Sequence, residues 1–122
     1  MIQKETLVRI VDNSGGRVAR CIHLYGLCKG EVGDLILVSM QKIRNKKKPT
    51  NSKIKVENHV LYKALIVQTR GEIKRKDGSR ISFTLNGAVL LTKLNEKILG
   101  SRIMCPVVNE LRSKNFINFN KY

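Results

Sequence analysis

Short apolar runs of strand length recur along this chain, each closed off by turn residues, and helical spacing emerges only near the end. Thr6 to Val11 is rich in β-branched and aliphatic residues and predicts a first strand, which Asp12-Asn13-Ser14-Gly15-Gly16 ends as a turn. In Arg17 to Leu24 the alternation places Ala19 and Cys21 on one face and Val18, Arg20 and Ile22 on the other. That second face suits either a solvated strand edge or contact with a ligand. Gly26, Gly30 and Gly33 then lead into the run Leu35-Ile36-Leu37-Val38; they match no Walker or dinucleotide loop, so a β-turn into a third strand is expected. Val60 to Gln68 predicts a fourth strand and Gly87 to Leu91 a fifth, with a further extended segment from Arg102 to Val107.

Between the last two strands lies the most distinctive stretch, residues 64 to 91. Its flanks, Ala64-Leu65-Ile66-Val67 and Ala88-Val89-Leu90-Leu91, are apolar runs expected to be buried. Its middle is strongly basic, closed by Asp77-Gly78, a pair that predicts a hairpin with a tight type I′ turn and cations projecting into water. A second basic stretch, KIRNKKKPTNSKIK at 42 to 55, holds seven Lys/Arg and no acid and reads as a loop or arm. Near the end, Pro106 followed by Val107-Val108-Asn109-Glu110-Leu111-Arg112 predicts a short helix, with Phe116, Phe119 and Tyr122 packing back on the domain. Many short strands, one late helix and no repeat predict a mainly β fold, a small closed β-barrel. The organisation is one domain over 1–122, with a basic arm at 42–55, a basic hairpin at 68–84 and a helical tail at 106–122.

Composition narrows the function. At 122 residues the chain can remove roughly two thirds of its unfolded surface from water and so hold a core without staples. No apolar run approaches the ~20 residues of a membrane-spanning helix, so no membrane partner is expected. The net charge is +15, and residues 42 to 80 contribute +10 of it through thirteen Lys/Arg against Glu57, Glu72 and Asp77. Charge concentrated in this way marks a footprint for a polyanion, with nucleic acid the expected partner.

Cys21, Cys28 and Cys105 are odd in number and lack a Cys-x2-Cys pair, which suits reduced thiols, read as small buried residues. His23 completes only Cys-x-His-x4-Cys, a poor zinc spacing, so no metal and no other cofactor is expected. His23 and His59 are far apart in sequence and no serine lies in a Gly-x-Ser-x-Gly elbow. Asp12, Asp34 and Asp77 sit beside turn residues, where short carboxylates satisfy backbone amides. The chain therefore reads as a binding module, with no enzymatic activity and no small-molecule substrate. Aromatic content of 5% without tryptophan argues against a stacking platform for single strands, and favours folded RNA met through backbone and shape.

At residues 64 to 90 a specific pattern stands out: Ala64, the aliphatics Leu65-Ile66-Val67, nine residues, Asp77-Gly78, then Phe83, Asn86 and Val89-Leu90. It resembles the signature of the universal large-subunit ribosomal protein fourteen family, of bacterial and organellar type. Supporting matches are Val11-Asp12-Asn13-Ser14-Gly15-Gly16, Cys21-Ile22, Val32-Gly33-Asp34, Gly100-Ser101-Arg102-Ile103, Pro106-Val107 and Glu110-Leu111-Arg112. The resemblance implies a five-stranded barrel with a projecting ribbon and small C-terminal helices, bound to large-subunit rRNA at the subunit interface. It further implies bridges to small-subunit rRNA, ribosomal protein three as a neighbour, and a silencing factor that blocks subunit joining.

The residues expected to bind RNA are Arg9, Arg17, Arg20, Lys42, Arg44, Lys46, Lys47, Lys48, Lys53, Lys55, Arg70, Lys74, Arg75, Lys76 and Arg80. The expected subunit-interface residues are Lys97, Gly100, Ser101 and Arg102, on an exposed surface. Departures from the family pattern are a shortened 21 to 33 segment that keeps mainly Lys29, a longer and more lysine-rich 41 to 60 segment, and Lys76 where relatives often place proline. Abundant Lys, Asn and Ile with only two prolines suggest an A/T-rich coding genome. With no presequence visible, that makes a mitochondrial, organelle-made protein the expected setting, with a bacterial or plastid ribosome as alternatives. A free regulator using the same basic barrel is the competing reading.

Overall fold

The alternation predicted for the strands places Val8 and Ile10, Ala19 and Cys21, Ile36, Val38 and Met40, Ala64 and Ile66, and Ala88 and Leu90 in one buried cluster. The computed structural model, which describes residues 1–26, 28–43, 56–92, 97–100, 102–108 and 111, shows why they converge. Strands β1 (Leu7–Ile10), β2 (Gly16–Leu24), β3 (Leu35–Ile43), β4 (Leu61–Gln68) and β7 (Gly87–Leu91) close into a barrel in the order β1-β2-β3-β4-β7. Closure removes every sheet edge that an open arrangement would leave unpaired. Small and large side chains share the interior; a Cβ on Gly16 would lie 2.7 Å from Met40 Cε, so any larger residue there requires the methionine to shift.

Neighbouring strands pair antiparallel except at the seam, where β1 runs parallel to β7 through Arg9↔Gly87 and Ile10↔Ala88. The two strands at either side of the hairpin, β4 and β7, are buried on both faces. Inside the barrel they carry Ala64, Ile66, Ala88 and Leu90; outside, Leu65, Val67, Val89 and Leu91 meet Val32, Ile103, Val108 and Leu111 in a second core. That explains the continuous apolar runs: a strand covered on both faces has no polar positions to alternate with. The outer cover is the 98–108 segment, which bridges Leu91 to Ile98 and Asp12 to Ile103, together with the half-buried hairpin residues Ile73, Ile81 and Phe83.

Several expectations are refined. The third strand runs on to Ile43, so Lys42 is a strand residue paired with Val18 and the basic arm starts later than its charge run. Residues 44–55 of that arm lie outside the described residues. The hairpin ladder is short, β5 (Ile73–Lys74) against β6 (Arg80–Ile81), and its turn is not type I′. Arg75 N–H donates to Ser79 O at 3.0 Å and Gly78 N–H to Arg75 O at 3.1 Å, and Gly78 alone in the loop has positive φ, at 90°. This is a three-residue loop ending in a glycine bulge.

Asp77 selects that loop, because its carboxylate accepts the Ser79 amide at 2.9 Å and the Ser79 hydroxyl at 2.6 Å. The hydroxyl first and the amide second hold the Asp77 carboxyl below its usual value. At the other end of the chain, the helix predicted from Pro106 is not seen in residues 106–108, which are irregular. The rest of the predicted helix and the packing of Phe116, Phe119 and Tyr122 fall outside the described residues, Leu111 excepted.

Candidate nucleic-acid interface

The barrel wall presents outward the residues that strand register forces out. Arg9, Val18 and Lys42 are lateral neighbours on three successive strands, and one step along lie Leu7, Arg20 and Ser39. Neighbouring strands are about 4.8 Å apart, so Arg9 and Lys42 stand roughly 10 Å from one another across the wall. Arg9, Arg17, Arg20 and Lys42 are all exposed. Arg20 meets Glu5 at 3.5 Å with both side chains in solvent, a pair that water and salt screen and that a phosphate can replace.

A second group stands on the hairpin. Arg70, Lys74, Lys76 and Arg80 are exposed, Arg80 pairing with Glu72 at 3.4 Å. Arg75, expected at the tip, is half-buried, on the alternating side of the ribbon whose Ile73, Ile81 and Phe83 pack against the outer core. The first side carries Ile73, Arg75, Ile81 and Phe83; the cations of the opposite side face water. Arg44, Lys46, Lys47, Lys48, Lys53 and Lys55 fall outside the described residues.

The segment beyond β7 is fixed by the β1–β2 turn. Asn13 Oδ1 accepts the Arg102 amide at 3.1 Å and Asn13 N–H donates to Arg102 O at 3.2 Å. Lys97 and Arg102 are exposed, but Gly100 is buried, against the expectation of an exposed loop. A Cβ there would stand 2.6 Å from Asn13 Oδ1 and 3.2 Å from Ser14 N. Gly100 therefore supplies close approach, and among the described residues the exposed chemistry of the segment is carried by Lys97 and Arg102; Ser101 is outside the described residues.

All three turn aspartates bind backbone amides, as their positions predict: Asp12 that of Ser14, Asp34 that of Glu31 and Asp77 that of Ser79. What spacing could not reveal is that fully buried Asp12 also takes the Leu90 amide, 78 residues away. The cysteines divide: Cys21 is buried, Cys105 half-buried with its thiol pushed up to about 11 by burial, and Cys28 exposed, contrary to the reading of all three as interior. Sequence reasoning also missed the edge-on pair of His23 and Tyr25, ring centres 5.2 Å apart, an exposed aromatic step beside the barrel-wall cations.

Cations on the barrel wall and on the separate hairpin, with the apolar residues of both cores turned away, define a basic β-barrel protein. The chain belongs to the family described as Ribosomal protein L14p/L23e, whose model matches residues 1–121. It is thus a structural protein of the large ribosomal subunit.

Proposed function

We propose that this protein binds large-subunit rRNA through two sets of cations, Arg9, Arg17, Arg20 and Lys42 on the barrel wall and Arg70, Lys74, Lys76 and Arg80 on the hairpin. The basic residues of the 42–55 arm join the same contact. One observation carries the reading: in a family of ribosomal proteins matched over 1–121, these side chains are exposed on the strands of a closed barrel and on its hairpin, around an apolar core. Fixed strands hold the charges at set separations, so phosphates are met without first ordering the protein.

The segment Lys97, Gly100, Ser101 and Arg102 faces the small subunit and contributes to bridges with its rRNA, next to large-subunit protein three. The same surface is open to a silencing factor that prevents joining. The setting is the mitochondrial ribosome. Sucrose-gradient fractionation of dissociated ribosomes tests the whole: the chain sediments with the mitochondrial large subunit and stays there through moderate salt. Recovery as a free pool, or on cytosolic ribosomes, sinks the corresponding part.

A further inference from the structure

Beside the parallel seam the barrel wall opens into a groove of about 340 Å³ whose rim and floor differ in chemistry. The rim is Arg9, Leu85 and Met104, the last two 47% and 54% exposed although apolar. Two backbone bonds and one to a side chain hold these parts in place: Arg9 N–H to Asn86 O at 2.9 Å, Met104 N–H to Val11 O at 2.8 Å, and the Arg70 amide to Asn86 Oδ1 at 3.1 Å. The floor includes Gln68 and Cys105. Gln68 donates through Nε2 to Pro106 O at 3.0 Å, while among the described residues its Oε1 accepts no hydrogen bond. Gly87 leaves room for that amide, since a Cβ there would lie 2.9 Å from Oε1.

An apolar rim on a protein of charge +15 calls for an occupant that is flat, partly apolar and attached to negative charge. We propose that the groove receives one unstacked nucleobase of the bound RNA, its faces against Leu85 and Met104, its donor edge on Gln68 Oε1, and its phosphate near Arg9. This rests on the rRNA-binding reading above. An aliphatic side chain from a protein partner fits less well, because it would cover the Gln68 carbonyl without a donor, at a cost of about 1–3 kcal/mol. The surroundings are cationic as well: Arg9 pairs with no carboxylate among the described residues, and exposed Arg70 and Arg102 leave the chain two residues from Gln68 and Met104. Cys105, protonated until strongly alkaline pH, adds no negative charge that would repel a nucleotide. Unpaired bases are the usual sequence-reading element of RNA contacts, commonly stacked on aromatic or guanidinium planes; here Leu85 and Met104 supply the apolar faces and Arg9 the guanidinium.

The test uses the full chain and a transcript of its large-subunit rRNA. Apolar contact carries no counterion release, so Leu85→Ala with Met104→Ala weakens binding by roughly 5-fold or more, the lower end of what one stacked base on an aromatic surface supplies, and leaves the slope of affinity against salt unchanged. Both residues are on the surface, and an unchanged thermal melt certifies the fold. As a second readout, saturating transcript slows alkylation of Cys105 but not of Cys28. Unchanged affinity with Cys105 unprotected overturns the proposal, as does a loss of affinity accompanied by a shallower salt slope, which would mean phosphate contact. Protection of Cys105 only when other large-subunit proteins are added would assign the groove to a peptide. If the unmodified chain fails to bind the transcript at all, it is the rRNA-binding reading that falls first.

Discussion

The Asp12 carboxylate accepts the Leu90 amide proton at 3.2 Å, tying the turn after β1 to β7 across 78 residues. Its other oxygen takes the Ser14 amide and hydroxyl, so a fully buried carboxyl group is held by donors from two parts of the chain. Removing it strands those donors inside the protein. Asp12→Ala is therefore expected to cost about 2–4 kcal/mol, read as a lowered urea midpoint at constant slope. A shift within the noise of surface variants would show that the carboxylate is dispensable to the seam.

Glycines at two turns separate crowding from backbone conformation. At Gly100 an added methyl meets Asn13 Oδ1 and the Ser14 backbone, with no positive φ to blame. At Gly78 nothing lies within 4 Å, but φ is 90°. Gly100→Ala is expected to cost about 1–3 kcal/mol of global stability through forced displacement. Gly78→Ala costs about 1–2 kcal/mol through the left-handed backbone, and amide exchange localises that loss to the hairpin loop, leaving the barrel protected.

The exposed hairpin cations carry a salt signature. Replacing Lys74, Lys76 and Arg80 together by alanine is expected to weaken rRNA association and to flatten its dependence on log salt by up to about 3 charge equivalents, each near 0.7–0.9 in slope. Arg75 is omitted because it is half-buried, so its loss would mix packing with charge. An unaltered slope would mean that the ribbon is merely solvated.

Cys105 sets an alkaline limb of stability. Burial lifts its thiol from 9.0 to about 11, so the folded chain keeps this proton longer than the unfolded one. The resulting stability is complete below pH 9 and is lost as pH rises toward 11, because there the unfolded chain ionises first. Cys21, also raised by burial, acts in the same sense. Chemical denaturation across this window should show the decline, shallower in Cys105→Ala. At pH 8, Cys28 should alkylate well ahead of both other thiols, and equal rates would contradict the burial of Cys105.

The barrel was legible because its strands carry local signals: β-branched runs, glycine-rich turns and the alternation of Ala19 and Cys21 against Arg20. Leu65, Val67, Val89 and Leu91 announce burial in the same way, but what buries their outer faces is the 98–108 segment, a contact no local pattern encodes. The same limit hid the Asp12–Leu90 bond, which depends on a parallel pairing between the first strand and the last. Asp77-Gly78 predicted the hairpin correctly and its turn type wrongly, because the Ser79 hydroxyl competes for the carboxylate and stabilises a longer loop. Charge placed the cations of the hairpin; register, visible only in three dimensions, decided that Arg9 and Lys42 share a wall and that Arg75 turns inward.

The parallel seam also sets the order in which the protein can be made. Its first strand, Leu7–Ile10, must wait for Gly87–Leu91, so vectorial synthesis extrudes more than two thirds of the chain before the ring can shut. Until then two strand edges stay unpaired and the long-range contacts that reward closure are out of reach. Repulsion among the Lys and Arg side chains discourages those edges from joining a second nascent copy. The charge proposed to meet rRNA in the finished particle would thus first keep the chain's own unpaired edges apart during its synthesis.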